Sequence, residues 1–185
     1  MSGKKKRPSL TYSTLTIHHS FMLLLNEKQV RTKLKRLAIQ ICERNLSANK
    51  MIFVGINKTG FKIARQFYDE WQSRLEIEAH LEHLQISPQA PLENPIHTTF
   101  NFKKSEGCHV ILIDDVTNTG RTLFYAITPF IKAPFAKFEV AVLVDRKHKS
   151  YPIQPDYVGL SLATTLQENI LVKFSESGAC SVFLD

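Results

Sequence analysis

Residues 110–123 read Val-Ile-Leu-Ile-Asp-Asp-Val-Thr-Asn-Thr-Gly-Arg-Thr-Leu. Val110 to Ile113 have the continuous, mostly β-branched character of a short strand covered on both faces. Two carboxylates, Asp114 and Asp115, follow where such a strand would emerge into solvent. Val116, Thr117, Asn118, Thr119, Gly120, Arg121 and Thr122 then lead into a helical pattern at Leu123, Phe124, Ala126 and Ile127. This strand–loop–helix order sets a row of backbone N–H groups at a helix N-terminus, where the orphan donors and the helix dipole both favour an anion.

The side chains narrow the choice of anion. Gly120 can adopt a positive φ and lets the backbone close on a phosphate. The hydroxyls of Thr117, Thr119 and Thr122 each add a donor. Ionised Asp114 and Asp115 only accept, so they suit a diol beside the phosphate rather than the phosphate itself. A ribose 5-phosphate satisfies both demands. The segment resembles the phosphoribosyl-diphosphate (PRPP) signature of type I phosphoribosyltransferases, an apolar strand, two acids and a Thr-x-x-Gly-x-Thr-like loop. The resemblance implies transfer of ribose 5-phosphate from PRPP to a nucleobase with loss of diphosphate. Asp114 and Asp115 would be catalytic, and Val116 to Thr122 would bind the 5-phosphate. Mg²⁺ is the implied cofactor, held mainly by PRPP and water oxygens rather than by the protein alone.

Length and composition set the frame. With 185 residues the chain supports one domain with a sizeable core. Its 43% hydrophobic and 22% charged residues are ordinary for a soluble globular protein. No apolar run has transmembrane length, and the Lys-rich start lacks a signal-peptide pattern, so a cytoplasmic protein with no membrane partner is expected. Cys42, Cys108 and Cys180 are too widely spaced for a metal set and read as buried thiols. The net charge is +7, but Lys4, Lys5, Lys6 and Arg7 carry four of those charges, leaving 20 basic against 17 acidic side chains. Residues 1–25 read as an N-terminal extension with a basic tail, in which Phe21 to Leu25 is an apolar patch that can add a strand. His18-His19 is uninformative without further ligands.

Residues 26–185 read as the domain proper. Asn26 and Gln29 form a capping-box pattern before a helix on Val30, Leu34, Leu37, Ala38, Ile41 and Cys42. Its basic stretch, 28–36, is either a solvated face or an RNA contact. Met51 to Val54 is a second buried strand, followed by Gly55-Ile56-Asn57-Lys58-Thr59-Gly60 and a helix on Phe61, Ala64, Phe67, Tyr68 and Trp71. Phe61 stands where a P-loop requires Lys, which excludes an NTPase loop. Leu75 to Leu81 alternate as an edge strand with Thr99 to Phe102 as its partner, and the Pro-rich stretch between them makes a flap over about 76–104. His80, His83 and His97 fall on it as surface residues. Phe138 to Val144 is another buried strand, and two more lie near Ile170 to Phe174 and Ser181 to Leu184. The alternation predicts an α/β fold, a central mostly parallel sheet flanked by helices, with a small C-terminal hood over about 145–185. Ligands of such sheets sit at the carboxyl ends of the strands.

From Asn26 onward the chain resembles one branch of the type I family, the bifunctional pyrimidine-operon attenuation proteins with uracil phosphoribosyltransferase activity. The matching pieces are Ile41-Cys42-Glu43-Arg44-Asn45, Gly55-Ile56 with Gly60, the signature, Ala141 to His148, Pro152-Ile153 and Asp156-Tyr157-Val158-Gly159. The resemblance implies that Ile56, Asn57, Lys58, Thr59 and Gly60 bind diphosphate and that Arg146, Tyr157, Val158 and Ile170 surround a base, with uracil favoured. It also implies a homodimer or homotetramer. Purine phosphoribosyltransferases share a Pro-Asp-[Phe/Tyr]-Val-Gly-like piece and stay open, as does a non-catalytic PRPP or pyrimidine-nucleotide sensor that binds RNA. Three departures stand out. The branch's flap carries a Tyr-Arg-Asp-Asp-like stretch, whereas no Arg occurs here between Arg74 and Arg121, leaving Lys103 or Lys104 as substitutes. The diphosphate loop is less basic than usual, and Ile39 stands where the first helix commonly has His.

Overall fold

A computed structural model describes residues 21–163 and 168–185. The basic tail and His18-His19 lie outside them. A capping box opens α1 (Glu27–Arg44): Asn26 Oδ1 accepts from the Gln29 N–H at 3.0 Å, and Gln29 Oε1 accepts from the Asn26 N–H at 2.9 Å. The chain continues through β2 (Lys50–Ile56), α2 (Asn57–Gln72), β3 (Glu78–Gln85), β4 (His97–Thr98), β5 (His109–Thr117), α3 (Arg121–Ala126), β6 (Lys137–Arg146) and β7 (Tyr157–Leu162). These strands form a six-stranded sheet in the order β4-β3-β2-β5-β6-β7, parallel except for β4. The α/β expectation holds.

Burial follows pattern. Phe53, Ile111, Ile113 and Leu143 face α1 and α2 in one core, with Trp71 and Phe67 of α2 packed against them. Val54, Val110, Leu112 and Val142 face α3 in the other. That second face has little helix to cover it, and a run of contacting rings, Phe100, Phe102, Phe130, Phe135 and Phe138, fills the gap.

Three boundaries differ from the sequence reading. β1 (Met22–Leu25) pairs with β9 (Cys180–Leu184), which pairs with β8 (Ile170–Phe174), so the hood is a three-stranded antiparallel sheet built from both ends of the described chain. Tyr157–Leu162, placed in the hood by sequence, is the parallel edge strand of the main sheet. The partner of β3 is His97–Thr98 rather than Thr99 to Phe102, which already turns back toward the start of β5.

Candidate functional site

The chain runs from β2 outward to β3, then crosses back to place β5 on the other side of β2. The strand order therefore reverses between β2 and β5, and a crevice opens there beyond the carboxyl ends. Its depth comes from unequal strand lengths. β2 stops at Ile56, with Gly55 opposite Ile113, whereas β5 continues beside β6 until Thr117 meets Asp145. Asp114 to Thr117 thus overhang the end of β2. Sequence alone ended this strand at Ile113; pairing with the long β6 carries it four residues further.

Asp114 is only 6% exposed, and Asp115 is half-buried. Each carboxylate accepts the next backbone N–H, Asp115 N to Asp114 Oδ1 and Val116 N to Asp115 Oδ1, both at 2.9 Å. Burial lifts Asp114 well above the usual carboxylate range, and the neighbouring Asp115 charge lifts it further. Burial raises Asp115 too. The pair is held in a place that resists its ionisation.

The turn after β5 is built as the sequence indicates. Gly120 has φ 83° and caps α3. A Cβ there would come within 2.8 Å of Ile153 Cγ2, so the glycine serves both the left-handed turn and a close approach. Thr119 Oγ1 accepts from the Arg121 N–H at 3.3 Å, and Thr119 O accepts from the N–H groups of Ser150 and Tyr151 at 3.0 and 3.1 Å. Thr117 is buried, Asn118 exposed, and Val116, Thr119, Arg121 and Thr122 half-buried. Arg121 Nε is buried with no hydrogen-bond partner among the described residues.

Lys149 is a residue the sequence reading missed. Its Nζ donates to Asn118 O at 3.0 Å, Arg146 O at 3.1 Å and Thr117 Oγ1 at 3.4 Å, and pairs with Asp145. One ammonium ties the signature turn to the end of β6. The available signal was the i,i+4 spacing of Asp145 and Lys149 just past the strand expected over Phe138 to Val144.

On the opposite wall, Ile56 ends β2 fully buried, and Asn57 starts α2 in the left-handed region at φ 50°. Asn57 accepts from the Ile86 N–H through Oδ1 and from the His83 ring through its backbone oxygen, both at 3.0 Å. Gly60 faces β5 so closely that a Cβ would lie 2.6 Å from Ile113 O. Lys58 is exposed and Thr59 half-buried. A cleft of about 970 Å³ lies between this first turn of α2 and the flap, lined by Lys58, Lys62, His83 and His97 among others.

The expected base-binding residues do not converge. Arg146 stands at the carboxyl end of β6 but is 3% exposed. Tyr157 pairs with Ala141 near the start of β7, and its hydroxyl donates to Glu139 Oε2 at 3.0 Å. Four residues separate that level from Asp145, about 13 Å at ~3.3 Å per residue. Tyr157 is buried at the amino end and hydrogen-bonded there, away from the carboxyl ends where it was expected. Val158, one residue on and opposite Val142, packs against the α3-side core. Ile170 opens β8 in the hood, packed against the α1–α2 core. Lys103 lies in the short 3₁₀ turn Phe102–Lys104, which leads into the amino end of β5. That end is about 26 Å from Thr117 along the nine residues of β5 at ~3.3 Å per residue, so Lys103 is no substitute for a flap arginine. On α1, Lys28, Arg31, Lys35 and Arg36 are exposed, while Lys33 donates to Gly159 O at 2.9 Å. Among the described residues no helix is long and apolar enough to cross a membrane.

Comparison with known proteins agrees with this geometry. Residues 23–174 match the phosphoribosyl transferase domain family. The chain is 32% identical over 165 residues to the bifunctional protein PyrR of Clostridium kluyveri, covering 86% of this chain and 93% of that protein. It is 32% identical over 155 residues to a pyrimidine operon regulatory protein of Lactococcus lactis, covering 83% and 90%. Among solved structures, the hypoxanthine phosphoribosyltransferase of Trypanosoma cruzi superposes with a TM-score of 0.67 at 18% identity, over 88% of this chain and 94% of that one. A likeness at that identity speaks to the fold alone.

Proposed function

The chain belongs to the phosphoribosyl transferase domain family, and from that premise we propose that it moves ribose 5-phosphate from PRPP to uracil, releasing diphosphate. One observation carries the reading: the acid pair and the Gly120 turn lie together on a β5 overhang at the switch point, facing the first turn of α2. The N–H groups of the Gly120 turn, with Thr119 and Thr122, take the 5-phosphate. Asp114 and Asp115 take the ribose hydroxyls. Asn57 to Gly60 take the diphosphate, with Lys58 supplying charge.

The raised acids give the site its chemistry. In the free protein burial opposes their ionisation. Positive charge developing at ribose C1 relieves that opposition, so the pair is better matched to the transition state than to the ground state. Among the described residues no three His, Cys, Asp or Glu side chains converge as a metal set. A crevice with one buried and one half-buried acid and open diphosphate space suits Mg²⁺ carried in by PRPP, which would neutralise leaving-group charge when bound. The flap keeps water, the competing nucleophile, from the cleft.

A second reading follows from the exposed basic residues of α1 and the regulatory name of the Lactococcus relative. In it the same crevice senses PRPP or a nucleotide, and α1 contacts RNA. Diphosphate release from PRPP and Mg²⁺, measured across uracil, hypoxanthine, guanine and adenine, separates the two. Release with uracil in excess of the purines is expected. Absence of release with every base, joined to RNA binding that falls steeply with salt, replaces the enzyme by the regulator.

A further inference from the structure

The flap contributes no arginine, and Lys103 stands at the wrong end of the sheet. The charge on a departing diphosphate must then be met from elsewhere. Lys62 lies on α2 one turn beyond Lys58, and both line the cleft beside the diphosphate segment. Residues four apart share a helix face, and side chains on a helix lean toward its N-terminus. A flexible Lys62 side chain based there can reach back toward the first turn of α2, whose N-cap supplies no side-chain hydrogen bond.

We infer that Lys62 is the second cation of the diphosphate site, resting on the hood's Phe174 ring in the free protein and turning onto the diphosphate when PRPP binds. In the free state its Nζ lies 4.8 Å from the Phe174 ring centroid. Among the described residues it has neither a hydrogen bond nor an ion pair, unlike Lys33, Lys50, Lys137 and Lys149. A cation held only by a ring face is held weakly and leaves readily for a dianion. Its surroundings also place it on the site side of the helix. Cys180 of β9 feels both the Asp115 charge and the Lys62 charge, although burial is what chiefly pushes that thiol up to about 12. The hood strand β8, which carries Phe174, also touches β5, which carries the acid pair.

This inference rests on the PRPP reading, and the test separates the two. Calorimetry with Mg²⁺ compares PRPP and ribose 5-phosphate on the unaltered protein, Lys62→Met and Lys62→Arg. Lys62→Met is expected to weaken PRPP on the order of 10–100-fold, to leave ribose 5-phosphate within about twofold, and to be largely rescued by Lys62→Arg. Retained ribose 5-phosphate binding certifies that the Met variant is folded. If Lys62→Met binds PRPP as the unaltered protein does, or weakens both ligands equally, Lys62 has no diphosphate role. Should the unaltered protein bind neither ligand, the PRPP reading itself falls, and this inference with it.

Discussion

At the amino end of β5, β6 and β7, Asn45, His109, Lys137, Glu139 and Tyr157 close a network. Asn45 Nδ2 donates to Glu139 Oε2 at 2.9 Å and to Ile41 O at 3.0 Å. Asn45 Oδ1 accepts from His109 Nδ1 at 2.8 Å, and Lys137 pairs with Glu139 at 3.0 Å. At the carboxyl end of the same sheet, Asp114 and Asp115 are tied among the described residues to each other and to the N–H groups that follow them, and Arg121 Nε has no partner there. Both ends bury polar groups. The first satisfies them internally and so stabilises; the second leaves capacity unspent, which is what a ligand requires.

The sharpest way to break this comparison is Asp114→Asn. The amide keeps an acceptor for the Asp115 N–H but cannot ionise. Diphosphate release should fall on the order of 100-fold, as expected when a preorganised electrostatic partner is removed. Stability should move the other way. A carboxyl whose folded pKa is raised contributes most below its unfolded value of about 4, and that contribution is lost as pH rises through the folded value. At pH 7 the native chain bears a penalty on ionising Asp114 that the variant does not. Asp114→Asn should melt higher, by roughly 2–4 °C if the relief is about 1 kcal/mol, and the gap should close toward pH 4. A variant that melts lower at pH 7 would place Asp114 with the structural cluster.

The two ends also differ in how far sequence reveals them. The site turn is local: strand, acids, threonines and Gly120 lie within fourteen consecutive residues, and the structure keeps them in that order. The loop from Gly55 to Gly60 is local as well, although both glycines prove to be packing glycines, with Cβ positions 2.3 Å from Phe61 Cα and 2.6 Å from Ile113 O. The amino-end network is not local. Tyr157 reaches Glu139 across 18 residues and Asn45 across 112. Nothing near Tyr157 in sequence announces those partners, so a resemblance placed it at the base. The hood was half legible for the same reason, because β1 joins β9 from the other end of the chain.

Tyr157→Phe tests the structural side of the comparison. It removes the hydroxyl that gives to Glu139 and receives from Asn45, leaving a buried carboxylate short of one donor. A loss of about 1–2 kcal/mol in denaturant unfolding is expected. Uracil affinity and diphosphate release should stay unchanged. A selective loss of base binding with stability intact would return Tyr157 to the site.

The smallest expected effect is a slope. Asn45 Oδ1 takes the His109 Nδ1–H, while burial and the Lys137 charge hold His109 below its ordinary range. A histidine depressed in this way contributes stability above its unfolded value of about 6.5 and loses it as pH falls. His109→Gln keeps a neutral N–H donor at the same place. Its unfolding free energy between pH 7 and pH 5 should therefore run flatter than that of the native chain. The difference should stay below about 1 kcal/mol because His109 is only half-buried. Parallel slopes would mean that the network tolerates a charged imidazole, and the amino end would then share the electrostatic slack of the site.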